Sequence, residues 1–481
     1  MGAAVATCLA WGSAGLAPLV DAATGALRPS DLPTDFVPAA RRARGAPAGT
    51  DAATGNAEAR AAGAPAFVPV GAPYRAHPPP AVMVVRPLVA LGFRGAALAW
   101  LALSLASLAV LAWLVTGVFV PDARRRFIRV WPVFGALLLW PPVLHNLEKG
   151  QWSLPIAALL ALAFAAAGRG ARGRAGALIA AAACFKITPA MVLFALLRRP
   201  GRGRVLAGAA AATAGLALLS LAVMGTGYWG DFLRSSGENA TGWQTAPANT
   251  LSLWGVTSRL LIGGAFARPA LVSPAAARAV WMIGALLLSG TAVAVTWPRS
   301  RPVTPDAAST TLVPARVFAA WSALAVILGP LAWTHTAIWL VLPGALLLRD
   351  LIQSPSRQPL RALALLAALV LLTIPRLSLF ALAGPLPVAP WRGLFLALHL
   401  LGALLVFAAA CLGDGAGAPA PGAPRHATPR VKAASRTPSS AAARTGTAAA
   451  SGPGDGGWRA PAPRARSTSD TRGTTGRPRT A

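Results

Sequence analysis

The chain has 481 residues, of which 55% are hydrophobic and 12% charged, with a mean hydropathy of +0.57. That balance is too apolar for a soluble domain and the length suffices for many spans, so the chain reads as an all-α polytopic membrane protein. The formal net charge of +30 sits in short arginine clusters between apolar runs, as in cytoplasmic loops, and no basic folded module with interleaved aromatics occurs, so nucleic acid is not an expected partner.

Taken in order, residues 1–20 are apolar without a basic start and read as a first membrane helix or a signal-like segment. Residues 21–94 form an external loop, polar and rich in Pro and Gly to about residue 87, with several carboxylates. A multispanning membrane domain fills 95–412, with spans expected near 95–120, 130–146, 152–167, 205–227, 276–297, 315–332, 337–349, 361–382 and 392–412. The basic "PDARRRFIR", "WPRSRPVTPD" and "RDLIQSPSRQPLR" belong inside; "HNLEKGQ", the loop from Tyr228 to about Ser273 and "WTH" at 333–335 then fall outside. Residues 413–481, rich in Ala, Pro, Gly, Ser and Thr with scattered arginines, read as a disordered basic cytoplasmic tail. Cys8, Cys184 and Cys411 stand isolated in apolar surroundings and indicate neither a disulfide framework nor a zinc site.

One segment breaks the pattern. "ACFKITPAMVLF" places Lys186 between apolar blocks, where a lone cation costs at least a few kcal/mol. Lysine occurs only at 149, 186 and 432, every other cation being arginine, and a compact ammonium at 186 suits a phosphate. The basic "GRGARGR" and "RRPGRGR" flank the segment, and the path from Ala175 to Lys186, at ~1.5 Å per residue, reaches only about half of a ~30 Å hydrocarbon core. The spacing predicts a helical hairpin with Lys186 and Pro189 at its tip; the alternative is one ordinary span with a snorkelling lysine.

No Asp or Glu lies inside the expected spans, which weakens a proton-coupled transporter. Chemistry then falls to external carboxylates: Asp21, Asp31, Asp35, Asp51, Glu58, Glu148, Asp231 and Glu238. Asp31 and Asp35, in "SDLPTDF", are close enough to the membrane face to meet a lipid-borne substrate. Tryptophans 152, 243, 254 and 333 could stack on sugar rings, although an interfacial belt is the favoured explanation.

The strings "TDFVPAARRARG", "PYRAHPPPAVMVVRPLVAL", "GQWSLPIAALLALAFAAAGRGARGRAGALIAAAACFKITPAMVLFALLRR", "NTLSLWGVTSRLL" and "GPLAWTHTAIWLVLPGALLL" follow one another as in glycosyltransferase family 87, which the chain resembles from Asp31 to Leu348. Three features depart from the family pattern: Ser153 replaces an asparagine, His77 stands where an aromatic often precedes the prolines, and "TDFVP" lacks a tyrosine. The resemblance implies a GT-C-type helical bundle with external loops forming the active site. It also implies a hexosyltransferase, inverting at the donor carbon, that moves mannose from a polyprenyl-phosphate donor to an acceptor glycan or glycolipid on the external, periplasmic face of the cell membrane. Its partners would be the lipid-linked sugar donor, the acceptor and membrane lipid, with no cofactor and no metal ligands indicated. Asp35 matches the base position, with Asp31 in reserve; Lys186 and Arg259 are candidates for the donor phosphate, and Gln151, Asn249 and His335 for sugar or acceptor contacts. A transporter or flippase of lipid-linked precursors is the alternative; it would call for alternating access and repeated halves, and no internal repeat is visible.

Overall fold

The computed structural model describes residues 20–21, 24, 29–64, 77–197, 201–241, 251–263, 268–269, 271–296, 314–353, 358–375, 379 and 390–412. Asn249, Trp243, the tail 413–481 and nearly all of segment 1–20 lie outside them. Every regular element in the described residues is helical, so the all-α polytopic class holds. Four helices are long and apolar enough to cross a membrane: Pro79–Phe119, Arg202–Met224, Pro274–Thr296 and Thr334–Gln353. Their outer faces carry Leu218, Ile283, Leu286 and Leu287, each more than half exposed. So large an apolar surface belongs against hydrocarbon, not water.

Within the segment 21–94 read as an external loop, the described residues are largely helical. Pro33–Ala43 forms helix α1 and Ala52–Ala61 forms α2; Pro79–Val85 (α3) follows. Pro33 starts α1 where its missing N–H costs nothing. Asp51 caps α2 by accepting the N–H of Thr54 at 2.9 Å. Arg41 pairs with Glu58 and ties the two helices together. The buried face of α1, including Phe36, Val37, Ala39 and Ala40, packs on α3. Two prolines within eleven residues hide this amphipathic helix from a sequence reading.

Gly92–Phe119 (α4) continues from α3 through a 3-10 turn. The span expected at 130–146 is instead broken: Ala123–Leu138 (α5) and Pro141–Lys149 (α6) meet at 71°. The cause is local, because Pro141 drives Trp140 into an extended conformation and helix cannot pass. Ser153–Gly168 (α7) and Arg172–Phe185 (α8) follow.

At Lys186 the chain leaves the helix in an extended conformation. A continued helix would drive the ring of Pro189 into the carbonyl of Phe185. A 3-10 segment, Thr188–Leu193, and the short α9, Phe194–Leu197, then run back before α10, Arg202–Met224. Helices α8 and α10 are parallel: Gly173 meets the Arg204 carbonyl, Gly176 meets Val205, and Cys184 meets Thr213. The side chain of Arg172 lies against Gly201. Both basic flanks therefore lie at one end of the pair with Lys186 at the turn, the path of a hairpin. The helices approach so closely that a Cβ on Gly176 or Gly208 would strike the partner's backbone.

The remaining helices are Thr226–Thr241 (α11), Leu253–Leu261 (α12), Pro274–Thr296 (α13), Ala315–Ile327 (α14), Val341–Gln353 (α15), Pro359–Thr373 (α16), Pro390–Phe395 (α17) and Leu398–Cys411 (α18). Helix α14 is apolar on nearly every side, and every residue from Val317 to Ile327 is buried. Such a helix belongs in the interior of the bundle. It packs on α18, α15 and the 3-10 segment that follows Lys186. A second 3-10 segment, Thr334–Leu340, leads into α15 and is buried throughout.

Candidate functional site

The tripeptide Gly150-Gln151-Trp152 organises the site. Gly150 ends α6 with φ 69°, a left-handed conformation that favours glycine. A Cβ there would lie 2.8 Å from Cβ of Pro29, so the glycine also lets the first segment come close. That segment docks by a backbone bond from the N–H of Asp31 to the carbonyl of Lys149 at 2.9 Å. Each of the next two residues then holds one carboxylate. Gln151 Nε2 donates to Asp31 Oδ2 at 2.6 Å, and Trp152 Nε1 donates to Asp35 Oδ2 at 3.0 Å.

Asp35 is 1% exposed, not the surface carboxylate expected in an open loop, and its other oxygen, Oδ1, accepts from His77 Nδ1 at 2.9 Å. Asp31 is partly open, and its Oδ1 accepts from the Ser30 hydroxyl at 3.0 Å. Lys149 Nζ donates to that same hydroxyl at 2.9 Å. Trp152 is neither an interfacial anchor nor a free stacking platform. It is buried, meets Trp100 edge-on at 4.5 Å and lies 4.6 Å from the ring of Phe185, the last residue of α8. Edge-to-face pairs of this kind contribute about 0.5–1.5 kcal/mol beyond burial.

Through Phe185 the cluster reaches Lys186. The Lys186 side chain is partly buried, and its ammonium lies 5.8 Å from the centre of the Trp339 ring and within electrostatic reach of Asp31. His335, on the second 3-10 segment, is 1% exposed, and its ring stands 5.3 Å from that of His145. Its neighbours in charge are Lys186, His145, His77 and Lys149. His145 Nδ1 is hydrogen-bonded to Thr334 Oγ1 at 2.7 Å, which fixes α6 to that segment.

The structure thus brings together Asp31, Asp35, Gln151, Lys186 and His335 from four separate places in the chain. Arg259 is 1% exposed in α12, which packs on α13 and α17. Asn249 lies outside the described residues. Sequence reasoning missed His77, Lys149 and His145 as parts of the site. For His77 the signal was its departure from the aromatic pattern; for Lys149 it was the rarity of lysine. Among the described residues no three His, Cys, Asp or Glu side chains gather as a metal ion would need.

An apolar groove of about 500 Å³ runs between α3, the 3-10 turn after it and α10. Met83, Val89, Ala90, Leu219 and Val223 line it, and Arg86 stands at its edge. Chemically, the assembly offers carboxylates and imidazoles able to accept a proton and a fixed ammonium able to neutralise developing negative charge. Neither the curated proteins nor the solved structures contain a match to this chain. The sequence model of glycosyltransferase family 87 matches residues 76–317.

Proposed function

Because the chain belongs to glycosyltransferase family 87, we propose that it is a hexosyltransferase moving mannose from a polyprenyl-phosphate donor to an acceptor glycan or glycolipid, with inversion at the donor carbon. The observation that carries this reading is the convergence of Asp31 and Asp35 with Lys186 in one sheltered cluster. A carboxylate centre at Asp35 provides the basicity that activates the acceptor hydroxyl, with Asp31 as the alternative. As the anomeric carbon is attacked, the bond to the phosphate breaks and charge gathers on the leaving group. An ammonium already fixed beside that group stabilises the transition state more than the ground state. The apolar groove beside α3 suits the prenyl chain. In this reading the protein lies in the cell membrane with the site on its external face and residues 413–481 in the cytoplasm.

The test is transfer of label from a panel of polyprenyl-phosphate sugars by membranes holding the wild-type protein or Asp35→Asn. The variant is expected to insert normally and to lose about 10²- to 10⁴-fold in rate, the usual contribution of general-base catalysis. Full activity in Asp35→Asn with an inactive Asp31→Asn would move the base to Asp31.

A further inference from the structure

We propose that the start of α5 is a binding surface for an anionic phospholipid, with the phosphate held by Arg124, Arg125 and Arg129 and an acyl chain laid along Phe127, Trp131 and Phe134. The depth of these residues is set by α4. That helix belongs to a segment long and apolar enough to cross a membrane, so its end at Phe119 marks a boundary. Pro121 and Asp122 turn the chain there, and α5 packs back on α4. Arg126 fixes the return. Its guanidinium lies 5.1 Å from the centre of the Trp113 ring, rests against Gly117, and donates to the carbonyls of Val120 at 3.0 Å and Pro121 at 2.8 Å. The other arginines at the start of α5 therefore stand at the boundary, and the residues after them enter the hydrocarbon in turn.

Arg126 is thus engaged by the protein, whereas Arg124, Arg125 and Arg129 are exposed and pair with no carboxylate among the described residues. Asp122, their nearest acid in sequence, uses Oδ1 to cap the helix by accepting the N–H of Arg125 at 2.7 Å. Arg125 and Arg129 are one helical turn apart, a spacing at which like charges repel, so an anion from outside the chain relieves them. The guanidinium fork matches the oxygens of a phosphate, and three such forks disfavour a headgroup that brings its own cation. The apolar half follows directly. Arg124, Phe127, Trp131 and Phe134 recur at the spacing of one helical face. Phe127 and Trp131 are each 61% exposed, and the rings of Phe127, Trp131 and Phe134 meet edge-on in sequence at 6.4 and 6.3 Å. Only Val130 of α5 is buried. From Arg124 to Phe134 the helix rises ~15 Å, which carries a bound lipid from its phosphate into its acyl region. This lipid is not a substrate, and the assignment stands apart from the transfer reaction.

The experiment reconstitutes the full chain in vesicles of phosphatidylcholine with a minority of phosphatidylglycerol, extracts it in mild detergent and measures by mass spectrometry the lipid retained on the folded protein. Wild type should hold phosphatidylglycerol enriched at least about threefold over its share of the vesicle. The variant with Arg124→Gln, Arg125→Gln and Arg129→Gln together should retain the two lipids in the vesicle ratio. Lysine at the same three positions should restore part of the preference, since the charge returns without the fork. If the triple glutamine variant does not fold, single substitutions decide. Arg124→Gln, on the face shared with Phe127 and Trp131, should remove at least about half of the enrichment, and Arg169→Gln, at an exposed arginine beyond α7, should leave it intact. Enrichment that survives the triple glutamine variant, or that Arg169→Gln lowers as much as Arg124→Gln, overturns the site and assigns the lipid to the basic loops in general. Wild type that retains the lipids in the vesicle ratio also overturns it, and leaves the surface to an acidic protein partner.

Discussion

Lys186 and Arg259 are both cations set among apolar segments, and the backbone treats them in opposite ways. Lys186 stands where a helix has stopped, in an extended residue between α8 and a 3-10 segment. Its side chain is partly buried, with the ammonium near the Trp339 ring and within electrostatic reach of Asp31. Arg259 lies within the last turn of the regular helix α12 and is 1% exposed. A cation at a helix C-terminus is favourable for the helix itself, because carbonyls there carry partial negative charge. The difference teaches that two buried cations can have quite different settings: one ends a regular helix, the other stands at a break in the backbone beside a carboxylate and an aromatic ring.

The comparison breaks most clearly at Lys186. Lys186→Met keeps the apolar stem and removes the charge, and turnover is expected to fall about 10²- to 10³-fold, more than donor binding weakens. Lys186→Arg should recover only part of this, since a planar fork does not occupy the place of a compact ammonium. Rates per folded molecule equal to wild type in Lys186→Met would make the two cations alike and both structural.

A smaller effect is expected from Gly150→Val. It imposes a β-branched residue on a positive φ and presses on Pro29, so Asp31 and Asp35 lose their seating while Lys186 keeps its own. Turnover should drop about 10- to 100-fold with little change in donor KM, as a misplacement of reacting groups predicts. Loss of donor binding instead would show that the carboxylate segment and the ammonium are held as one unit.

The smallest effect on turnover belongs to Arg259→Met. Folded yield and Tm should decline, by the ~0.5–3 kcal/mol typical of a changed buried site, while the rate per folded molecule stays within about threefold. A selective rise in donor KM would return Arg259 to the phosphate and erase the contrast.

Much of this was legible beforehand, for identifiable reasons. Helical spans follow from long apolar runs, and the α8 hairpin follows from two basic flanks set too close for a full crossing and return. Lys186 could be singled out because charge in apolar surroundings is costly and therefore conspicuous, and Asp35 because it stands in an external loop near the membrane face and matches the family's base position. Their meeting could not, since Asp35, His77, Trp152 and Lys186 are joined only by tertiary hydrogen bonds and ring contacts across 151 residues of chain. The break at Trp140 was hidden inside an apolar stretch, because hydropathy averages over the Pro141-Pro142 pair that causes it. Helix α1 was hidden for the converse reason, its prolines suggesting loop where Pro33 in fact begins a helix.

The parallel pairing of α8 and α10 works as a length gauge. Cys184 stands level with Thr213, and from there α10 continues to Met224, about 16 Å at ~1.5 Å per residue. Over that stretch it passes α3 and receives the side chain of Arg42 on the carbonyl of Val223, 3.1 Å away. The upper half of α10 is therefore a protein wall rising past the ammonium. Because Gly176 and Gly208 lock the two helices in register, the height of Lys186 against that wall can change only in whole helical turns, ~5.4 Å at a time. A chain that gained or lost one turn of α8 would carry the same residues with the ammonium a full step away from Asp31.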